Sequence, residues 1–141
     1  MSDSLIHKAQ LLIVDDEQDH AQVMSEALER LGHRADLAYN LGEARERLEK
    51  KPYDVVVTDL MMEGRRDGLE VLRLATSKEP PPPVLLVTAH ADVPTCRQAL
   101  QEGAYDYIEK PLDLEFFRTQ VNRAAEKAAL QKQNQILQDS L

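Results

Sequence analysis

Pro52-Tyr53-Asp54-Val55-Val56-Val57-Thr58-Asp59-Leu60-Met61-Met62 is the stretch from which the fold can be read. Three consecutive valines leave no polar position between them, so the run predicts a strand buried on both faces. A strand of that kind belongs to a parallel sheet sandwiched between helices. An aspartate directly after it stands at the strand's carboxyl end, where open α/β sheets place their ligand crevice. Taken alone, Asp59 could equally turn or cap the chain, as aspartate often does after a strand. The other strand ends decide between the two.

Working outward, Gln10-Leu11-Leu12-Ile13-Val14 is a second all-apolar strand, ended by Asp15-Asp16-Glu17. Asp19 is the expected cap of a helix carrying Ala21, Val23, Met24, Ala27, Leu28 and Leu31 at helical spacing, stopped by Gly32. Arg34 to Ala38 alternates only partly, as a strand nearer a sheet edge does. Asn40 caps a helix over 41–50. Asp67-Gly68 opens a third helix, and Pro80 to Pro83 form an extended spacer into the strand Val84-Leu85-Leu86-Val87. Thr88 follows that strand. Pro94 fits the first turn of a fourth helix reaching Glu102, with Gly103 after it. A fifth strand, Ala104 to Glu109, leads to Lys110-Pro111, and Asp113 caps a last helix with no stop signal before Leu141. Strands alternating with helices predict right-handed βαβ units and a doubly wound α/β fold.

A chain of 141 residues, 43% apolar and 30% charged, fits one globular domain. Its net charge of −8 and lack of a Lys/Arg run argue against direct nucleic-acid binding. One cysteine, Cys96, rules out an internal disulfide and suits a reducing compartment. The first residues lack the apolar core of a signal peptide and no stretch is long enough to span a membrane, so the cytoplasm is the expected location. His7, His20, His33 and His90 form no metal-spaced cluster and are expected at the surface.

Asp15, Asp16, Asp59, Thr88 and Lys110 all fall at, or just past, strand carboxyl ends, which form one rim in such a sheet. Crowded carboxylates repel, and a hard cation with oxygen ligands relieves the repulsion, Mg²⁺ being suited to a site with few carboxylates and retained waters. Lys110 adds a point charge and Thr88 a hydroxyl for phosphoryl oxygens. A carboxylate nucleophile, a metal, a lysine and a hydroxyl together describe phosphoryl transfer to an aspartate.

Leu12-Ile13-Val14-Asp15-Asp16-Glu17, Val57-Thr58-Asp59-Leu60, Val87-Thr88-Ala89 and Asp106-Tyr107-Ile108-Glu109-Lys110-Pro111 resemble the motifs of response-regulator receiver domains of bacterial two-component systems. The resemblance spans nearly all of residues 8 to 125. It implies a flavodoxin-like sheet in the order 2-1-3-4-5, as in the chemotaxis receiver. It further implies Asp59 as phosphoacceptor for a sensor histidine kinase, and Asp16 as direct and Asp15 as mainly water-mediated Mg²⁺ ligands. The Met61 backbone carbonyl would also face the ion, Thr88 and Lys110 would hold the phosphoryl group, and Tyr107 would follow Thr88 as a switch. In this family the Lys110-Pro111 bond is commonly cis. One departure stands out: Glu63-Gly64-Arg65-Arg66 lengthens the loop before Asp67-Gly68, where relatives usually have a proline after the position of Met62.

Residues 1–125 are accordingly expected to be the receiver and 126–141 a helical extension, a coiled-coil linker to an output domain beyond this chain. Leu130, Asn134, Leu137 and Leu141 keep a four-three-four spacing, a short seam with asparagine at one core position. With His90-Ala91-Asp92-Val93-Pro94, the extension resembles the regulatory domain of NtrC/DctD-type sigma-54-dependent activators. That implies a phosphorylation-controlled homodimer, through this helix or through the fourth and fifth elements. A stand-alone or phosphorelay receiver is the alternative. A phosphatase working through an aspartyl phosphate would need a second acid, and Met61 stands where some such enzymes carry aspartate, so the expectation is a phosphoacceptor rather than an enzyme.

Overall fold

A computed structural model describes residues 7–89 and 93–140. Five strands, β1 Gln10–Val14, β2 Arg34–Ala38, β3 Val55–Asp59, β4 Val84–Thr88 and β5 Asp106–Glu109, form one parallel sheet in the order β2-β1-β3-β4-β5. Five helices alternate with them: α1 Gln18–Glu29, α2 Leu41–Lys50, α3 Asp67–Thr76, α4 Val93–Gln101 and α5 Leu114–Asp139. The fold is the expected flavodoxin-like one.

Successive strand residues feed opposite cores, which is why the strands need no polar positions. Leu12, Val14, Val56 and Leu86 join Ala44 and Leu48 of α2, Leu69 and Leu72 of α3 and Ala99 of α4. Leu11, Ile13, Val55, Val57, Leu85 and Val87 join Met24 and Leu28 of α1 and Phe117, Val121 and Ala124 of α5. Each fully buried side chain of this size contributes about 1.5–3 kcal/mol relative to exposure.

Caps and ends refine the boundaries. Asn40 accepts from the Glu43 amide at 2.8 Å and Asp113 from that of Phe116 at 3.1 Å, both as expected. Asp19, by contrast, lies inside α1; Glu17 is the N-cap and makes no side-chain bond. Asp19 instead stands in the first helical turn, where a negative charge meets the positive end of the helix dipole. Asp59 and Thr88 are the last residues of their strands rather than the first beyond them. Two X–Pro bonds are cis, Lys110–Pro111 as the resemblance implied and Glu79–Pro80.

Gly68 packs tightly against the chain leaving β3. A Cβ there would lie 2.2 Å from the Asp59 carbonyl oxygen and 2.6 Å from Leu60 Cα. Only glycine lets α3 press against the backbone leaving β3, and the Gly68 amide donates to Leu60 O at 3.0 Å.

His33 is buried, not at the surface. Its Nδ1 accepts the Ala9 amide at 3.0 Å and its Nε2 meets Asn122 Oδ1 at 2.8 Å, tying the start of β1 to α5. Burial costs little when both ring nitrogens are satisfied. His20 is also drawn inward, as described below. His90 lies outside the described residues, as do Ala91, Asp92 and Leu141.

Along α5, full burial continues through Ala125 to Ala128, and beyond it only Ala129, Gln131 and Gln135 are half-buried among the described residues. There Leu130, Ile136 and Leu137 are exposed by 53, 68 and 56%. None of the described helices is long and apolar enough to cross a membrane.

Candidate functional site

The parallel sheet brings the ends of β1, β3, β4 and β5 together. Asp15 and Asp16 follow β1, Asp59 ends β3, Thr88 ends β4 and Lys110 follows β5. One carboxylate oxygen from each of Asp15, Asp16 and Asp59 lies within 4.8 Å of the other two. Lys110 Nζ is 2.8 Å from Asp59 Oδ2 and 4.0 Å from Asp15 Oδ2. The Lys110 amide donates to Thr88 O at 2.8 Å, joining two of the expected residues through backbone. Thr88 is buried, Tyr107 is half-buried against the core beneath, and Met61 is exposed with its amide 3.3 Å from Asp59 Oδ1.

The three carboxylates are not equivalent. Burial pushes the Asp59 carboxyl above its ordinary range, and nearby Asp15 adds to this, while Lys110 and the Met61 amide pull the other way without prevailing. Burial pushes Asp15 up as well, but the His20 side chain, the Glu17 amide and Lys110 together hold it below the ordinary value. Burial lowers Lys110, yet its bond to Asp59 leaves it raised and therefore charged. The outcome is a buried carboxylate beside a charged lysine. The donor set is all oxygen, with more negative charge than Lys110 balances, and this fits a hard divalent cation.

Three contacts lie outside what the motifs signalled. His20, one turn into α1, places Nδ1 on Asp15 Oδ2, and the Glu17 amide donates to Asp15 Oδ1 at 2.9 Å, so both oxygens of Asp15 are fixed. A histidine five residues after Asp15 could have been noticed, because the first turn of the following helix returns over the strand end. Asp16 accepts from the Glu63 amide at 2.9 Å. Gly68 sets the height of α3 against Asp59. The last two are backbone effects, and side-chain chemistry does not reveal them.

The lengthened loop is a tight hairpin. Met62 and Arg65 exchange backbone hydrogen bonds at 2.8 and 3.0 Å, and the two residues between them, Glu63 and Gly64, have φ of 53° and 74°. Arg65 is engaged by Glu63 at 3.4 Å and Asp67 at 3.6 Å. An open concavity of about 490 Å³, lined by Asn40, Leu41, Gly42, Arg45, Glu63, Arg65 and Asp67, lies beside it. A more apolar cleft of about 370 Å³ sits far from the carboxylates, at the amino ends of the strands between Tyr53, Pro80, Pro81 and Lys132. The carboxylate cluster and the apolar cleft thus lie at opposite ends of the strands.

Comparison with known proteins agrees with this geometry. Residues 11–122 match the model of the response regulator receiver domain. The chain is 34% identical over 127 residues to the C4-dicarboxylate transport transcriptional regulatory protein DctD of Rhizobium meliloti, covering 90% of this chain and 27% of that protein. NtrX from Brucella abortus superposes with a TM-score of 0.83 at 30% identity, over 92% of this chain and 29% of that one. A beryllofluoride-activated NtrC4 receiver domain dimer matches at a TM-score of 0.77 and 30% identity, over 84% of this chain and 98% of that one. The chain spans about a quarter of the length of the curated relatives it matches.

Proposed function

Because the chain belongs to the response regulator receiver domain family, we propose that it is a phosphorylation-operated switch whose acceptor is Asp59. The observation that carries the reading is Asp59 itself: a buried carboxylate at a strand end, 2.8 Å from a lysine and grouped with two further carboxylates. In the reaction, an Asp59 oxygen attacks phosphorus, the P–N bond of a phosphohistidine on a sensor histidine kinase breaks, and the leaving imidazole keeps the electron pair. A Mg²⁺ ion bound by Asp15, Asp16, Asp59 and the Met61 carbonyl would offset the charge developing between carboxylate and phosphoryl oxygens. Lys110 then exchanges Asp59 for a phosphoryl oxygen, and Thr88 donates its hydroxyl to another. Tyr107, two residues before Glu109, the register partner of Thr88, follows that movement.

The output is transmitted through α5. Residues 1–125 serve as the receiver and 126–141 as a linker toward an output domain, in sigma-54-dependent transcription of the kind the sequence resemblance implies. Exposure of Leu130 and Leu137 on one side of the extension, with Asn134 between them, supports a homodimer seam there. Val93, Leu100 and Phe116, exposed on α4 and α5, favour a second dimer surface at the fourth and fifth elements. The test is direct: a small phosphodonor with Mg²⁺ should add one base-labile phosphoryl group at Asp59, seen as a single mass increment. Undiminished labelling of Asp59→Ala removes the assignment.

A further inference from the structure

The loop between β3 and α3 departs from the pattern of the rest of the site. Its two central residues both have positive φ, the geometry of a type I′ two-residue hairpin, where asparagine and glycine are preferred. Gly64 suits that conformation, and the space where its Cβ would be is open. Glu63 does not: a left-handed backbone is disfavoured for a non-glycine residue. What accompanies that cost is the direction of its amide, which donates to Asp16 Oδ2 at 2.9 Å. The loop is otherwise tethered by the Met62–Arg65 backbone pair and by Arg65 to Asp67.

We propose that the Glu63–Gly64 turn is part of the ion site, its Glu63 amide positioning Asp16 for a divalent cation. The proposal rests on the phosphoacceptor reading above. Asp15 already has both oxygens fixed, by His20 and the Glu17 amide, and Asp59 is held by Lys110 and the Met61 amide. Asp16 is the most exposed carboxylate of the three, and the Glu63 amide is its counterpart to those restraints. An amide on Oδ2 leaves Oδ1 free to face the ion while offsetting repulsion among the carboxylates. Coupling is reciprocal, so an occupied site also steadies the turn.

Backbone-amide NMR of the whole chain, titrated with Mg²⁺, tests this. In the wild type the Glu63 amide should shift with the same midpoint as those of Asp16 and Met61. Glu63→Pro deletes the donor and forbids positive φ, and Mg²⁺ affinity read from the remaining amides should fall about tenfold. Glu63→Gly keeps the donor and eases the turn, so its affinity should stay at or above the wild-type value; Glu63→Gln should match the wild type, because the carboxylate itself is not invoked. Gly64→Val, strained at φ 74° without meeting any neighbour, should fall between. Wild-type affinity in Glu63→Pro, with Asp59 still labelled, overturns the turn's role and leaves the phosphoacceptor reading intact. A wild type that neither binds Mg²⁺ nor takes a label brings down both.

Discussion

Lys132 on the extension of α5 forms an ion pair with Asp54, the residue that leads into β3. Asp54 lies five residues before Asp59, roughly 17 Å away along an extended chain. Asp59 and the residue that anchors the extension of α5 therefore stand at the two ends of one strand. The other oxygen of Asp54 takes the Gln10 amide at 2.8 Å, at the start of β1.

The two partners of that pair should not be equally important. Lys132 is largely exposed, and losing an exposed ion pair costs about 0.2–1 kcal/mol, so Lys132→Ala should be nearly silent in urea denaturation. Asp54→Ala also abandons the Gln10 amide and should cost about 1–3 kcal/mol more. Both variants should speed hydrogen exchange along residues 130–139, since either one frees the helix from the sheet. Unchanged exchange in both would show that the pair does not hold the extension.

Gly68→Ala should be among the more damaging single-methyl additions. The added carbon would fall 2.2 Å from Asp59 O, and overpacking against backbone costs about 1–3 kcal/mol. Because relief requires α3 to lift away from Asp59, Asp59 labelling should slow as well. Denaturation midpoints and labelling rates together check this; a variant normal in both would mean that the strand exit yields without disturbing Asp59.

Thr88→Ala and Lys110→Ala should weaken the response to phosphorylation more than they weaken Mg²⁺ binding. Both groups are assigned to phosphoryl oxygens, and a ligand moves an equilibrium only through contacts that differ between states. The comparison is oligomeric state with and without beryllofluoride and Mg²⁺. A full response in either variant takes that residue out of the switch.

The extension can be tested by length. Ala128 is the last core residue of α5, so a chain ending at Ala129 keeps the domain intact while losing Leu130, Asn134 and Leu137. Sedimentation should show fewer dimers than for the full chain. Equal populations would shift dimerisation to the exposed residues of α4 and the start of α5.

A pH dependence arises away from the site. Burial raises the Asp36 carboxyl, but Lys51 at 2.8 Å and the Tyr53 hydroxyl at 2.6 Å outweigh it and leave it below its ordinary value. A carboxyl depressed in the folded state adds stability above its unfolded value, and that stability is lost as pH falls through the folded one. Asp36→Asn should therefore lower Tm at neutral pH, with the gap from wild type closing under acid conditions. A gap that is constant with pH would assign the effect to packing alone.

Much of this was legible in the chain. Runs such as Leu11–Val14 and Val55–Val57 carry apolar residues at every position because both sheet faces are covered, and that pattern alone specifies a buried parallel sheet. Asp15, Asp16, Asp59, Thr88 and Lys110 could be grouped because parallel strands all end at one rim, whatever the loops do. Asn40 and Asp113 capped as expected, since capping is a local contact within three residues. Asp19 did not, because the helix already starts at Gln18 and leaves Asp19 inside its first turn.

What only the tertiary structure decided depends on backbone direction and on partners distant in sequence. His33 looked like a surface residue until Ala9 and Asn122, 24 and 89 residues away, supplied partners for both ring nitrogens. Composition cannot show that Gly68 meets the Asp59 carbonyl, or that the Glu63 amide points at Asp16, since an amide is present at every such position and only the path of the chain aims it. The sequence specified which chemistry gathers at the rim; the folded backbone decided how each carboxylate there is held.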